Sequence, residues 1–179
     1  MKIISRNTEE LLINVSYQPG GSSAFDPNTK SDVLSDGKAC VRDAALLQLL
    51  GVNRLISNPW HFVLTVAQVN TIRVYNVDPE ANHDECASVF YTAGIYMILD
   101  VNTPFVAINR DDPASTYNVD YLTHVFGVVE AFKNYPNTMA FFASNELIND
   151  DKTSGIDPPY IRVCYLIFER VDPSIANIF

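Results

Sequence analysis

Two polar side chains with possible chemistry follow a strongly apolar segment in the last third of the chain. Residues 139–142 are Met-Ala-Phe-Phe, and Asn145 and Glu146 come shortly after them. Continuous apolar residues are typical of a strand that is buried on both faces of a parallel sheet. A carboxyl group that emerges from such a strand is partly desolvated, which favours its protonated form and suits it to donate a proton. Glu146 is therefore a candidate general acid, with a solvated strand-end carboxylate as the common alternative.

Other predicted strands end in polar groups of a similar kind. Tyr17 and Gln18 end the first strand, Tyr75 the second and Asp100 the third. The carboxyl ends of parallel strands meet at one rim of a barrel, so these side chains are expected to converge there. Two simpler interpretations stay open: Tyr75 and Tyr17 only pack against the rim, and Asp100 caps the turn that follows it.

Strands and helices alternate along the chain. Strands are predicted at 11–21, 71–75, 95–101 and 138–146, and helices at 35–51, 82–94 and 118–136. This alternation indicates a parallel sheet, either open and doubly wound or closed into a barrel. Polar groups at successive strand ends favour the barrel, and the segment QPGGSS lacks the spacing of a phosphate-binding loop. The predicted fold class is α/β, the N-terminal half of a TIM-type (β/α)8 barrel.

Composition limits the classes of partner. The chain has 179 residues, of which 47% are apolar, and a net charge of −9. It can bury a core, but it is too acidic to be expected to bind nucleic acid or an anionic membrane. No segment approaches the roughly 20 apolar residues of a membrane span, and the N-terminus lacks the apolar core of a signal peptide. Taken literally, the sequence predicts a cytosolic protein.

No metal site is predicted. His61 and His124 have no partners at metal-binding spacing. His83 precedes two acidic residues in the first turn of a predicted helix, where the helix dipole favours acids. Asp111 and Asp112 stand before a proline, a pattern that is more typical of a solvated turn than of a ligand pair.

Five segments in the same order resemble the fungal β-1,3-glucanosyltransferases, glycoside hydrolase family 72. They are YQPGGSS (17–23), TIRVYNVDPEANHDEC (71–86), AGIYMILDV (93–101), AINRDDP (107–113) and FFASNELINDD (142–151). The resemblance covers most of 12–51 and 69–162. It implies a cell-wall enzyme without a cofactor, usually held at the plasma membrane by a glycosylphosphatidylinositol (GPI) anchor, with β-1,3-glucan chains as its partners.

The resemblance also implies roles for the strand-end residues. Glu146 would be the general acid/base of a retaining glycosidase, and Asn145 would hydrogen-bond the sugar 2-hydroxyl. Gln18, Tyr75 and Asp100 would line the sugar subsites. The implied reaction cleaves a β-1,3-glucan, keeps the new reducing end on the enzyme and transfers it to another glucan. The alternative functions are a non-catalytic β-glucan-binding or regulatory protein and a related retaining endoglucanase.

The cysteines bear on the compartment in which the protein is found. The resemblance implies a disulfide between Cys40 and Cys86, which would tie the first predicted helix to the second, whereas free thiols are the alternative for a cytosolic chain. Cys164 has no counterpart in the family. Asn14 opens a glycosylation sequon, but its predicted strand is buried, so we do not expect it to be occupied.

The chain departs from the family pattern in three places. Residues 52–68 lengthen the connection between the first helix and the second strand, and their deletion would restore a short loop. We hypothesise that they are a retained intron, with a genuine surface insertion as the alternative. The resemblance ends at 162, so 11–162 is interpreted as a partial barrel and 163–179 as a non-family tail. The N-terminal signal peptide of the family is also missing.

These departures predict a loss of activity. The nucleophilic carboxylate of this class of barrel comes from its seventh strand and lies about 5 Å from the acid/base. Only four strands are predicted here, so we expect the chain as written to be inactive although its family is enzymatic.

Overall fold

The described part of the chain contains nine strands and five helices, and residues 158–162 are also helical. The computed structural model describes residues 2–5, 8–21, 32–50, 52–58, 61–67, 69–145, 147–162 and 176–178. The strands are β1 Lys2–Ser5, β2 Thr8–Leu11, β3 Asn14–Tyr17, β4 Val52–Asn58, β5 His61–Ala67, β6 Thr71–Val74, β7 Tyr96–Asp100, β8 Thr138–Phe142 and β9 Ala176–Ile178. The helices are α1 Gly37–Leu49, α2 Asp84–Thr92, α3 Pro113–Thr116, α4 Val119–Phe132 and α5 Asp151–Ile156.

Local signals in the sequence place the ends of the three long helices. The Asp36 carboxylate accepts from the backbone amides of Lys38 and Ala39 and begins α1, and the Asn118 side chain caps α4 in the same way. Helix α2 stops at Thr92, and Gly94 turns the chain away two residues later with a φ of 72°, which only glycine adopts readily. The three predicted helices are therefore confirmed, with ends a few residues inside the predicted limits.

The main sheet is parallel throughout. Its order is β3-β6-β7-β8-β9, and helices α1, α2 and α4, which connect its first four members, pack on one side. Ile72, Val74, Met97, Leu99 and Phe141 face that side and are almost fully buried, in one apolar cluster with α1, α2 and α4. Because side chains alternate along a strand, the residues between them face the opposite side of the sheet. The predicted parallel α/β architecture is confirmed.

Tyr17 belongs to the layer between the sheet and the helices. It is buried, its hydroxyl donates to Asp43 Oδ2 on α1 at 3.0 Å, and its ring meets Phe90 edge-on at 5.4 Å. Burial raises the pKa of the Tyr17 phenol, and the hydrogen bond to Asp43 raises it further. The hydrogen bond from Arg42 holds the pKa of Asp43 below its ordinary value. This tyrosine anchors α1 to β3.

A buried polar pair and a disulfide hold the connection before α1 against α2. His83 Nε2 lies 2.6 Å from Asp32 Oδ2, and both side chains are almost completely buried. Asp32 also accepts from the backbone amides of Leu34 and Asp78. Cys40 and Cys86 form the disulfide that the family resemblance implied.

Three segments outside the predicted elements also form strands, and the first is the antiparallel hairpin β1–β2 near the start of the chain. Residues 52–58 and 61–67 pair as the antiparallel hairpin β4–β5, which occupies the segment hypothesised to be an intron. That hypothesis stays a prediction. Strand β9 adds a fifth strand beside β8, so the expectation of four strands was one short. Three residues carry no periodicity, which is why this strand could not be seen in the sequence.

The expected burial of the glycosylation sequon was wrong. Asn14 and Ser16 are exposed, whereas Val15 and Tyr17 turn toward the helices. The reason is that Asn14 and Ser16 lie on the face of β3 that is turned away from the helices. Within the described ranges, no helix has the length and apolarity needed to cross a membrane.

We predict that the disulfide contributes substantially to stability. It closes a loop of 46 residues, and a cross-link of this kind stabilises a fold by about 2–4 kcal/mol, chiefly by restricting the unfolded chain. The double variant Cys40→Ala/Cys86→Ala should lower the free energy of unfolding by that amount, measured by urea denaturation.

Ser88→Ala, at an exposed position of α2, is the matched control and should leave stability unchanged. Reduction of the wild-type chain should reproduce the loss seen in the double variant. Equal unfolding midpoints for the oxidised and reduced wild type would contradict the prediction.

Candidate active site

Arg73 is the centre of a polar cluster on the face of the sheet turned away from the helices. It lies in β6, and its guanidinium makes two parallel hydrogen bonds to Asp100 at the end of β7. Nε donates to Oδ1 at 2.8 Å and Nη2 donates to Oδ2 at 2.8 Å. This bidentate geometry fixes the carboxylate in the plane of the guanidinium.

Asn145 is held by the same arginine. Arg73 Nη2 donates to Asn145 Oδ1 at 2.9 Å. Because the amide oxygen serves as the acceptor in this bond, the amide NH2 group is directed away from the arginine and can donate to a ligand. Asn145 is exposed, which leaves it accessible at the carboxyl edge of the sheet.

Two aromatic rings enclose the guanidinium. The Arg73 Cζ atom lies 4.4 Å from the centroid of the Tyr75 ring and 4.0 Å from that of Phe142. Both distances fall within the range of cation–π contacts. The Tyr75 hydroxyl shares a hydrogen bond of 2.9 Å with Ser16 Oγ, so residues from four neighbouring strands or strand ends contribute to the cluster.

The ion pair is largely shielded from water. The side chain of Asp100 is 1% exposed and that of Arg73 is 19% exposed. Burial raises the pKa of the Asp100 carboxyl, while the hydrogen bonds and charge of Arg73 oppose the rise. Both carboxylate oxygens already accept from the guanidinium. Asp100 is therefore a structural partner of Arg73, and the interpretation that it caps a turn is wrong.

The structure brings together three of the five sequence-predicted site residues. Asp100 and Asn145 bind Arg73 directly, and Tyr75 packs against it. Gln18 lies at the same end of the sheet, in the tight turn after β3, where its carbonyl accepts from the Gly21 amide at 2.9 Å. Its side chain is exposed, and among the described residues it forms no hydrogen bond with Arg73.

Glu146 lies outside the described residues. Its two chain neighbours are described and differ sharply in environment. Asn145 is exposed and held by Arg73, whereas Leu147 is 5% exposed and packs in the main apolar cluster.

Arg73 is the functional residue that sequence reasoning missed. Its strand reads Thr-Ile-Arg-Val, and the residues on either side of it are completely buried. A lone arginine inside an otherwise buried strand requires a counter-charge, and this was the available signal. Arg73 and Tyr75 also share strand parity, so both were bound to face the same side of the sheet.

Two other candidate ligand residues, Asp111 and Asp84, have local partners, whereas the buried Nε2 atom of His124 has none among the described residues. Asp111 pairs with Lys152 at 3.3 Å, and Asp84 accepts from the Tyr135 hydroxyl at 2.7 Å. His124 is partly buried, which lowers its pKa. Among the described residues, no group of three or more His, Cys, Asp and Glu side chains could hold a metal ion.

Comparisons with known proteins agree on one family. A family model described as "Glucanosyltransferase" matches residues 61–167, more than half of the chain. The 1,3-beta-glucanosyltransferase gel2 of Aspergillus fumigatus is 53% identical over 153 residues, which are 84% of this chain and 28% of the relative. The probable 1,3-beta-glucanosyltransferase GAS3 of Saccharomyces cerevisiae is 47% identical over 176 residues, which are 97% of this chain and 30% of the relative.

Solved structures give the same answer for the fold. A crystal structure of S. cerevisiae Gas2 with a small compound aligns with a TM-score of 0.71 and 28% identity, over 91% of this chain and 32% of that one. A Gas2p mutant in complex with laminaritetraose and laminaripentaose aligns with a TM-score of 0.70 and 27% identity, over 90% of this chain and 31% of that one. The predicted fold class, part of a TIM-type (β/α)8 barrel, is thus confirmed.

The chain spans less than a third of the length of these relatives. Within that span, the family model, the sequence identities and the fold coincide. The chain belongs to the glucanosyltransferase family, glycoside hydrolase family 72.

Proposed function

We propose that this chain supplies the acid/base side of the active site of a retaining β-1,3-glucan glucanosyltransferase. The observation that carries the proposal is the Arg73 contact that fixes Asn145, the residue immediately before Glu146, at the carboxyl edge of a parallel sheet. Active sites of TIM-type barrels lie at that edge. The similarity to relatives named as 1,3-beta-glucanosyltransferases, and to a Gas2p mutant solved with laminari-oligosaccharides, supports β-1,3-glucan as the substrate.

The proposed mechanism is a double displacement. A nucleophilic carboxylate attacks the anomeric carbon while Glu146 protonates the departing glycosidic oxygen, so that a covalent glycosyl-enzyme forms and one glucan fragment leaves. Glu146, now ionised, then takes the proton from a hydroxyl of an incoming glucan. That hydroxyl oxygen attacks the anomeric carbon and displaces the enzyme carboxylate. Transfer exceeds hydrolysis when a sugar hydroxyl occupies the acceptor position ahead of water.

Asn145 has a defined part in this scheme. Because its oxygen accepts from Arg73, its NH2 group donates to the 2-hydroxyl oxygen of the sugar at the cleavage point. Contacts to the 2-hydroxyl strengthen in the oxocarbenium-like transition state. A contact that is stronger in the transition state than in the bound substrate lowers the barrier of the reaction. Arg73 acts through Asn145 as a positioning residue.

The nucleophile is a different carboxylate from the one in this cluster. Asp100 is buried and both of its oxygens are engaged by Arg73, so it cannot attack a sugar. As the family resemblance implies, we expect the nucleophile on the seventh strand of the complete barrel, outside the described residues. Tyr75 and Gln18 serve as subsite residues, the first through its ring and the second through its exposed carboxamide.

The location proposed for the protein follows the family resemblance. We place it at the cell surface, held by a GPI anchor, where its glucan substrate lies. The disulfide supports an oxidising compartment, because such bonds persist mainly outside the cytosol. The exposed Asn14 sequon is open to glycosylation there.

The role of Glu146 is tested in a chimera in which this chain replaces the aligned part of A. fumigatus gel2. Glu146→Gln removes the transferable proton with almost no change of shape. We expect the rate of glucan elongation to fall on the order of a thousandfold, because a positioned acid/base contributes at about that level. Laminaripentaose affinity should stay unchanged, and both quantities are measured by product mass spectrometry and calorimetry.

Glu130→Gln is the matched control, since Glu130 is an exposed helical glutamate that pairs with Lys133. It should leave elongation intact. Undiminished elongation by the Glu146→Gln chimera would refute the assignment. Glucan binding without elongation by the unmodified chimera would favour the non-catalytic glucan-binding function instead.

The role of Arg73 is tested by separating its structural and positioning parts. Arg73→Gln leaves Asp100 buried without its counter-charge, which costs about 3 kcal/mol. A carboxyl whose pKa is raised in the folded state favours folding below its unfolded-state pKa, and that contribution is lost as the pH rises through the folded-state pKa. The loss of stability in Arg73→Gln should therefore be large near neutral pH and shrink as the pH falls toward about 4.

The double variant Arg73→Gln/Asp100→Asn removes both charges and should recover most of that stability. Its laminaripentaose affinity should nonetheless stay at least about tenfold weaker than that of the wild type, because Asn145 has lost its charged hydrogen-bond donor. Thermal unfolding at several pH values and calorimetry provide the two readouts. Wild-type affinity in the double variant would show that Arg73 does not position Asn145.

A further inference from the structure

A second concavity lies at the opposite end of the sheet from the candidate active site. Its volume is about 460 Å³. It is lined by Asn70, Tyr91, Gly94, Ile95, Tyr96 and Asn137, which we call the lower pocket. These residues precede or begin strands β6, β7 and β8, or end α2. Because the strands are parallel, their amino ends lie at the edge remote from Asp100 and Asn145.

The walls of the lower pocket are fixed before any ligand arrives. Asn137 Nδ2 donates to the carbonyls of Ala87 and Ile95 at 3.1 and 3.2 Å. Asn70 Oδ1 accepts from the Ile13 amide at 2.9 Å. The turn at Gly94 is closed by a hydrogen bond from Ile95 N to Phe90 O at 2.8 Å. A preformed pocket loses little conformational freedom when a ligand binds.

One buried acceptor in this pocket lacks a donor. Asn137 is 1% exposed, and its Oδ1 atom is buried without a hydrogen-bond partner. Buried polar atoms are normally paired. The amide cannot turn over to correct this, since its NH2 group already serves two carbonyls. Because this oxygen is itself buried, a ligand in the pocket could reach it only after a movement of the Asn137 side chain.

Two tyrosines present their rings at the lower pocket. Tyr91 is 57% exposed and Tyr96 is 37% exposed. In the part of the chain that the structure describes, neither hydroxyl has a recorded hydrogen bond. Exposed rings beside amide groups suit a ligand that is apolar on one face and hydroxylated at its edges, as a pyranose ring is.

The charge of the lining narrows the ligand class further. The six lining residues carry no ionised side chain, so the pocket provides no counter-charge for a phosphate, a carboxylate or a cation. The volume lies within the range of about 300–1,000 Å³ that is usual for small-ligand sites. A neutral sugar fits the size of the pocket, its lack of charge and its exposed tyrosine rings together.

We propose that the lower pocket is an accessory binding site for a glucose unit of a β-linked glucan chain. The choice of glucan rests on the proposed function. Strand β7 separates the two sites by about 15 Å at 3.3 Å per residue, so the same glucose unit cannot occupy both. Binding at two points holds a polymer near the catalytic edge by raising its effective concentration there.

The test is co-sedimentation of the full chain with insoluble β-1,3-glucan. Tyr91→Ala/Tyr96→Ala should weaken retention at least about tenfold, because it removes both stacking rings. Tyr91→Phe/Tyr96→Phe keeps the rings and should retain most of the binding. Phe126→Ala removes a ring that is 41% exposed on α4, away from the pocket, and should have no effect. Circular dichroism establishes that each variant is folded.

The outcomes separate this proposal from the proposed function. Wild-type retention by folded Tyr91→Ala/Tyr96→Ala overturns the lower pocket as a glucan site, as does an equal loss in Phe126→Ala. If Asn145→Ala abolishes laminaripentaose binding while the tyrosine variants sediment normally, the active-site proposal stands and the lower pocket fails. If tyrosine-dependent retention persists in Asn145→Ala and that variant binds laminaripentaose normally, the lower pocket stands and the active-site assignment fails.

Discussion

The ion pair between Arg73 and Asp100 is the constraint on which the rest of the candidate site depends. A carboxylate with 1% exposure cannot stay ionised without a partner, and the guanidinium satisfies both of its oxygens. This requirement locks the ends of β6 and β7 together. The arginine has a further donor contact with Asn145, so a demand for charge compensation in the sheet also sets the position of a residue at its exposed edge.

The two faces of the sheet divide the work of folding and function. The face toward the helices is apolar, and the Tyr17 hydroxyl links it to α1 by a hydrogen bond to Asp43. The disulfide and the buried His83–Asp32 pair secure the helices and their connections behind it. The opposite face carries the charged and aromatic cluster. A buried ion pair contributes little net stability by itself. Most of the free energy of folding must therefore come from the burial of the apolar layer.

Much of this organisation could be predicted from the sequence. Long amphipathic helices with clear caps, such as the one capped by Asp36, can be recognised in the sequence from their apolar periodicity and their end signals. The convergence of Tyr75, Asp100 and Asn145 followed from the rule that parallel strands end at one edge. The disulfide, by contrast, came from the family resemblance.

The remainder depends on contacts that are distant in the chain. Arg73 and Asp100 are 27 residues apart, and nothing in either local sequence names the other as its partner. The direction in which Tyr17 points depended on where its strand sits in the sheet, as did the exposure of Asn14. The lower pocket is built from turn residues such as Gly94 and Asn137, whose meeting is fixed only by the packing of α2 against two strands.

The central claim is that Arg73 holds Asn145 in place to contact the sugar. A crystal structure of the chain with a bound laminari-oligosaccharide tests it most directly. The account predicts a glucose 2-hydroxyl within hydrogen-bond distance of the Asn145 amide nitrogen, with Arg73 still donating to the amide oxygen. A sugar bound at the carboxyl edge with Asn145 turned away from both it and the arginine would contradict the account.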